Sequence, residues 1–433
     1  MSIYEVGRLN TDNICVHVPG SKSITNRALL LAALSEGTSH IEGILESDDS
    51  KHFIESLKLL GYQVFSGDSH VIIKGCGRNI PNKTGSIYVG SAGTAARFLT
   101  AMLAFSDGTY YIDSSEQMKK RPMKELISAL MCAGAKFEFQ ENEYSFPFKV
   151  TGAGNSFTDK SMLSLDVNID KSSQFLSALL MAAPLSGRRV HIHLTGERKA
   201  KSYVKITQKM MHDFGVDVLM LSDNDYVVDG TKSCYNAGSY MCEPDVSAAC
   251  YFYAMAAVTG KSALVYNVHR DSMQGDIKFV ELLERIGCTA IDTDEGIILS
   301  GPDRLYGIKA DMSDYSDQAL TLAAIAPFTD TGVVINGIAH IRGQETDRIK
   351  AMYNELTRMQ IECVEQEDGI AILPGKPQPA LIETYNDHRV AMSFAVTGLC
   401  MDGLKINNPE CSHKTFPEYF NILDDLCKQE ESI

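Results

Sequence analysis

Apolar positions along the chain follow two alternating patterns. In one, a run is apolar almost all the way round: ALLLAAL after Arg27, FLTAMLAF after Arg97, FLSALLMAA after Gln174, AACYFYAMAAV after Ser247, ALTLAAIA after Gln318 and VAMSFAV after Arg389. A helix with no polar face must be buried on every side. In the other, apolar residues recur at three and four, as in DSKHFIESLKLL, MKELISALM, YVKITQKMMHDF, DIKFVELLERI, DRIKAMYNELTRM and FPEYFNILDDLC. Those segments predict helices with one packed face and one wet face. The first five are followed by alternating stretches around turn residues, such as VFSGDSHVIIKG, which predict hairpins.

The order repeats six times, and a glycine follows each greasy run at a near-constant interval: Gly37, Gly108, Gly187, Gly260, Gly332 and Gly403. Such regularity marks an internal repeat of the form βαβαββ. Six helices buried on all sides imply two inside-out α/β domains, each of three repeats, with parallel helices inside and sheet outside. The sixth repeat lacks its hairpin, while IYEVGRLNTDNICVHVPG precedes the first. The expectation is that this leading hairpin completes the sixth repeat. The domains would then be 20–241 and a discontinuous 1–19 plus 242–433.

Charge and composition narrow the function. A net charge of -15 argues against nucleic acid or an anionic membrane as partner. It leaves small anionic substrates open, since they respond to local charge. The 11 cysteines show no CxxC and no zinc spacing, so free thiols in a reducing compartment are expected, and no metal. No run is long enough to span a bilayer and the first residues lack a signal pattern, which predicts a cytoplasmic protein.

Parallel buried helices would aim their N-termini, with unpaired N–H groups and partial positive charge, at one face. The residues at those ends are the candidate chemistry: Lys22, Ser23 and Arg27; Ser91, Gly93, Thr94 and Arg97; Ser172, Ser173 and Gln174; Glu243 and Asp245; Asp314 and Asp317; Asp387, His388 and Arg389. Serines and aspartates there are also ordinary helix caps. The arginines are harder to explain that way, because a cation in the first turn opposes the helix dipole. Three further basic clusters, KKRPMK (119–124), IRGQETDRIK (341–350) and CSHKTFPEYF (411–420), lie before or at the second helices. Each has a bland alternative: a solvated loop, a surface salt-bridge lattice, or a helix start with Pro417 in its first turn.

PGSKSITNRALLLAAL, GSAGTAARFLTAML, KRPMKEL, SSQFLSALLMAAP, EPDVSAACYF, QETDRI, NDHRVAM and KTFP, in this order, resemble the 5-enolpyruvylshikimate-3-phosphate synthase family over essentially the whole chain. The resemblance implies transfer of the enolpyruvyl group of phosphoenolpyruvate to the 5-hydroxyl of shikimate 3-phosphate, without metal or organic cofactor, by a monomer. Both substrates are phosphorylated carboxylates, which gives the Lys and Arg clusters a cause. By resemblance, Lys22, Ser23, Arg27, Ser172, Ser173, Gln174, Tyr203, Asp317, His340 and Gln344 hold shikimate 3-phosphate. Lys22, Gly93, Arg121, Gln174, Arg348, Arg389 and Lys414 hold phosphoenolpyruvate. Asp317 and Glu345 are the proton-transfer pair, with Lys22 beside them.

Departures from the family pattern stand at Ser91, Phe98, Ala200, His340 and Gln344. Gln344 replaces a lysine and cannot carry charge or a proton, which favours Glu345 and Asp317 for the acid–base work. Ser91 and Phe98 are expected on the wall of the phosphoenolpyruvate site, where the family binds glyphosate, and predict an atypical response to it. Rival readings are a paralogue with another acceptor, the sister enzymes acting on UDP-N-acetylglucosamine, and a non-catalytic anion binder. The sister enzymes carry a reactive cysteine before the Arg-Pro pair, and IDSSEQMKKRPM has none.

Overall fold

A computed structural model describes residues 2–154, 161–197, 202–232 and 234–428. The chain divides into two compact units, Gly20–Cys242 and Met1–Pro19 with Glu243–Ile433. Each unit is built around three helices formed by the all-apolar runs. In the first they are Lys22–Ala33, Gly93–Phe105 and Gln174–Ala182. In the second they are Val246–Thr259, Ala319–Ile325 and His388–Gly398.

Beyond the first turn nearly every residue of these helices is buried. Gly93–Phe105 packs on both of its companions, and the three helices of the second unit all pack on one another. Burying a leucine such as Leu29, Leu179 or Leu320 stabilises by about 2–3 kcal/mol. The few polar residues inside find partners: Thr397 Oγ1 donates to Ala324 O at 2.7 Å, and Thr321 and Ser393 hydroxyls lie 3.3 Å apart. Gly260 ends its helix at φ 66°, a left-handed position that a side chain would strain.

The sheets share one plan. Leu163–Asn168 runs parallel to Arg189–Thr195, which pairs antiparallel with Asp225–Asp229, and Val218–Ser222 closes the edge. Thr84–Tyr88 and Ile308–Asp311 lead two more sheets of the same order. Side chains alternate between buried and exposed along these strands, as Leu163–Asn168 illustrates, so each sheet has one face on the helices.

The opening residues depart from expectation. They do not form a hairpin that completes the sixth repeat. Ile3–Glu5 pairs antiparallel with Lys405–Asn407 of the sixth repeat, but Asn13–Val16 runs parallel to Ser262–Tyr266 of the fourth. The cause lies at the other end of the first unit. The strand that would lead the fourth sheet, Tyr235–Asn236 with Ser239–Met241, instead pairs with Ser35–Glu42 and closes the first sheet. Asn13–Val16, with Ile14 and Val16 buried, fills the vacated place.

Candidate active site

In the unit Gly20–Cys242 the starts of the three buried helices meet. Asn26 Nδ2 donates to Thr94 Oγ1 at 2.5 Å, joining the first helix to the second. Arg97 Nη1 donates to Gln174 Oε1 at 2.6 Å, joining the second to the third. Fixing its oxygen in this way leaves the Gln174 amide NH2 for a ligand. Arg97 also lies over the Phe175 ring at 5.2 Å.

Arg27 is 1% exposed. Its Nε donates to Thr207 Oγ1 at 2.7 Å, Nη1 to Ser23 O at 2.9 Å, and Nη2 to Ser177 Oγ at 3.2 Å and Tyr203 O at 3.1 Å. All four partners are neutral. Burial pushes the guanidinium down to about 10, which still leaves it charged at neutral pH. The Phe98 ring lies 5.2 Å beneath it and is fully buried, so Phe98 supports Arg27 and does not line an open wall beside Gly93. This corrects the expectation for Phe98.

Lys22 is half-buried and its Nζ lies 3.7 Å from Asp49. Gly93 opens its helix against Arg121: a Cβ there would sit 2.6 Å from Arg121 Nη1. Ser172 Oγ accepts from Gln174 N at 3.3 Å, while Ser173 makes no capping bond. Ala200 lies outside the described residues.

In the second unit the three helix starts converge on two arginines. Asp245 and Asp387 are caps, accepting from Ser247 N at 3.0 Å and Arg389 N at 2.9 Å, as the bland reading of such residues holds. Asp317 is not a cap. It sits in the short turn Ser316–Gln318, and its carboxylate accepts from Arg348 Nη1 at 2.9 Å and Arg389 Nη2 at 2.8 Å.

Arg348 is 1% exposed and opens the helix Arg348–Arg358. Its Nε and Nη2 hold both oxygens of Asp387, at 2.8 and 3.2 Å. The remaining hydrogens go to Asp317, to Gln344 Oε1 and to Glu345 Oε2 at 3.0 Å. All five donors of the guanidinium are engaged. Burial works against its charge, but Asp387, Glu345 and Asp317 outweigh that and hold it above the usual arginine range. Lys414 Nζ reaches the other Glu345 oxygen at 3.1 Å. His340 Nε2 lies 2.8 Å from Ser316 Oγ, next to Asp317 in the chain.

The basic clusters divide between the two readings. Arg342 does form a salt-bridge lattice with Asp347 and Glu365, whereas Glu345 and Arg348 turn inward. Pro417 stands before Glu418, the cap of the helix Tyr419–Cys427, and not in its first turn. Asn26, Asp49, Ser177 and Thr207 in one unit, and Ser247, Tyr251 and Asp276 in the other, were not singled out from sequence. Only distant partners reveal them.

Comparison with known proteins places the chain in a family. A family model described as EPSP synthase (3-phosphoshikimate 1-carboxyvinyltransferase) matches residues 10–423. The chain belongs to the EPSP synthase family. It is 43% identical over 410 residues to a protein of Trichormus variabilis named 3-phosphoshikimate 1-carboxyvinyltransferase, covering 94% of each chain. A protein of the same name from Nostoc punctiforme is 41% identical, with 99% of this chain and 100% of that one covered. A solved EPSP synthase structure from Acinetobacter baumannii matches with a TM-score of 0.80 over 98% of each chain; at 24% identity it speaks for the fold alone. Among the described residues no group of three or more His, Cys, Asp or Glu side chains is placed to hold a metal, and no helix is long and apolar enough to cross a membrane.

Proposed function

We propose that this EPSP synthase family member transfers the enolpyruvyl group of phosphoenolpyruvate to the 5-hydroxyl of shikimate 3-phosphate, releasing phosphate. One observation carries the assignment of roles. Arg348 stands between two carboxylates, 2.9 Å from Asp317 and 3.0 Å from Glu345, each of which has a second cation, Arg389 or Lys414. The reaction needs such a pair. Asp317 takes the proton of the attacking hydroxyl while Glu345, protonated from solvent once it is released from its cations, delivers that proton to the phosphoenolpyruvate methylene, forming a tetrahedral adduct. Glu345 then takes a proton back from the new methyl group, the C–O bond to phosphate breaks as the C=C bond re-forms, and Asp317 gives its proton to the departing phosphate.

Arg27, with neutral partners and a spare Nη1 hydrogen, suits the acceptor's anionic groups, together with Lys22, Ser23, Ser172, Ser173, Gln174 and Tyr203. For the donor, Arg389 and Lys414 are the readiest cations of the second unit. Arg348 must give up Gln344 or Glu345 before it can touch an anion, and releasing Glu345 would turn it toward the methylene. Lys22, Gly93, Arg121 and Gln174 complete the donor set from the first unit. His340 and Gln344 take the acceptor side, where Gln344 orients Arg348 through its amide oxygen. The net charge of -15 supports a protein acting on small molecules, away from nucleic acid and anionic membrane; that it works as a cytoplasmic monomer is carried over from the family.

Phosphate release from phosphoenolpyruvate is to be followed with shikimate 3-phosphate and, separately, with UDP-N-acetylglucosamine. Release with the first alone is expected. Release with the second alone would assign the sister reaction, and release with neither would overturn the proposal.

A further inference from the structure

Asp276 lies in the short turn Gly275–Ile277 that opens the helix Lys278–Arg285. It is buried, and Oδ2 accepts from Ser247 Oγ at 2.7 Å. Oδ1 is shielded and has no hydrogen-bond partner among the described residues. Ser247 Oγ also accepts from Arg389 Nη2 at 3.3 Å, and that nitrogen donates to Asp317 Oδ2 at 2.8 Å. A hydroxyl and a guanidinium thus connect two carboxylates, one at the reacting centre and one behind it.

Other groups near Asp276 do not balance its charge. From the helix Val246–Thr259 come the cap Asp245 and Cys250, whose Sγ donates to Asp276 O at 3.6 Å. Gln274 beside it is engaged by Glu243 at 3.1 Å. Asp292, on the strand Thr289–Thr293 packed against Lys278–Arg285, is occupied by His269 and the Arg270 amide. Arg389 is the cation that acts on Asp276 most strongly among the described residues. Burial first, then the Asp317 and Asp245 charges, hold Asp276 above the ordinary aspartate range; Arg389 and the Ser247 hydrogen bond pull the other way.

We propose that Asp276 is a positioning residue that takes up one proton from solvent when the anionic donor engages Arg389. An anion on Arg389 draws its charge away from both carboxylates, and the two cannot both remain ionised in so dry a place. Asp317 keeps Arg348 at 2.9 Å, whereas Asp276 has only a neutral hydroxyl. The proton therefore goes to Asp276 Oδ1, Asp317 stays ionised as the base, and the proton returns to solvent when phosphate leaves. This rests on the assignment of Asp317 and Arg389 to the reacting site.

The test is the pH dependence of KM for phosphoenolpyruvate at saturating shikimate 3-phosphate, for the parent protein and Asp276→Asn. Binding linked to proton uptake weakens as pH rises, by up to about tenfold per unit. The substrate's own phosphate titrates alike in both proteins and cancels in the ratio. The ratio of parent to variant KM is expected to grow about fivefold or more between about pH 6 and 8. A flat ratio in a folded, active variant overturns the proposal. Ser247→Ala, which spares both carboxylates, removes the hydrogen bond that favours the ionised form of Asp276. Asp276 is then protonated before the donor binds, and the rise of KM for phosphoenolpyruvate with pH is expected to flatten as in Asp276→Asn. A rise of KM with pH as steep as the parent's there overturns it too, and this variant decides alone should Asp276→Asn not fold. Normal turnover in Asp317→Asn would instead sink the underlying site assignment, and this proposal with it.

Discussion

Two arginines, each 1% exposed, are held in opposite ways. Arg27 has hydroxyls and carbonyls around it and, among the described residues, no carboxylate partner. Arg348 has three carboxylates and an amide and no donor to spare. A buried cation with neutral partners keeps an unmet demand for an anion, which is why the proposed function makes Arg27 a receptor. A buried cation inside a cage of carboxylates is already matched, and under the proposed function Arg348 sets where the acid and base stand.

The largest expected effect is at Arg348. Arg348→Met leaves Asp317, Glu345 and Asp387 without their shared cation, which should cost about 3–5 kcal/mol of stability and lower kcat by about a thousandfold or more. Urea unfolding and phosphate release measure the two. Arg27→Met should separate them. Thr207 Oγ1 already donates to Ser177 Oγ at 2.9 Å, so the hydroxyls keep each other. Stability should stay within about 1 kcal/mol, while KM for shikimate 3-phosphate rises about a hundredfold. A greater stability loss in Arg27→Met than in Arg348→Met would break the contrast. The smallest effect is expected at Gly93→Ala, whose new Cβ would sit 2.6 Å from Arg121 Nη1. Arg121 must shift, raising KM for phosphoenolpyruvate about tenfold; an equal rise in KM for shikimate 3-phosphate would show that the glycine serves both substrates.

The buried helices were legible because an all-apolar run has one physical solution. The roles of aspartates at helix starts were not. Asp245, Asp317 and Asp387 all stand near such starts, yet Asp245 and Asp387 cap while Asp317 joins an ion network. What separates them is the side chain that arrives from elsewhere: Arg348 gathers partners from positions 317, 344, 345 and 387. Family resemblance supplied Arg348 and Glu345 as site residues, but not that every Arg348 donor is already in use. Phe98 misled for the same reason. Its place beside Gly93 in the chain says nothing of its ring, which a helical turn carries under Arg27. The leading hairpin failed because strand pairing is decided by which sheet has an empty edge.

That exchange of strands bears on how the chain is made. Asn13–Val16 leaves the ribosome early, but its partner, Ser262–Tyr266, comes only after all of Gly20–Cys242. Ile3–Glu5 waits longer still, for Lys405–Asn407. Residues 20–242 hold every strand their own sheets need and can assemble during synthesis, whereas the other unit cannot close until translation is nearly done. Until then Ile14 and Val16 have no sheet to cover them. Asn13–Val16, made long before the strand it pairs with, is thus a span exposed to chaperones and to mispairing.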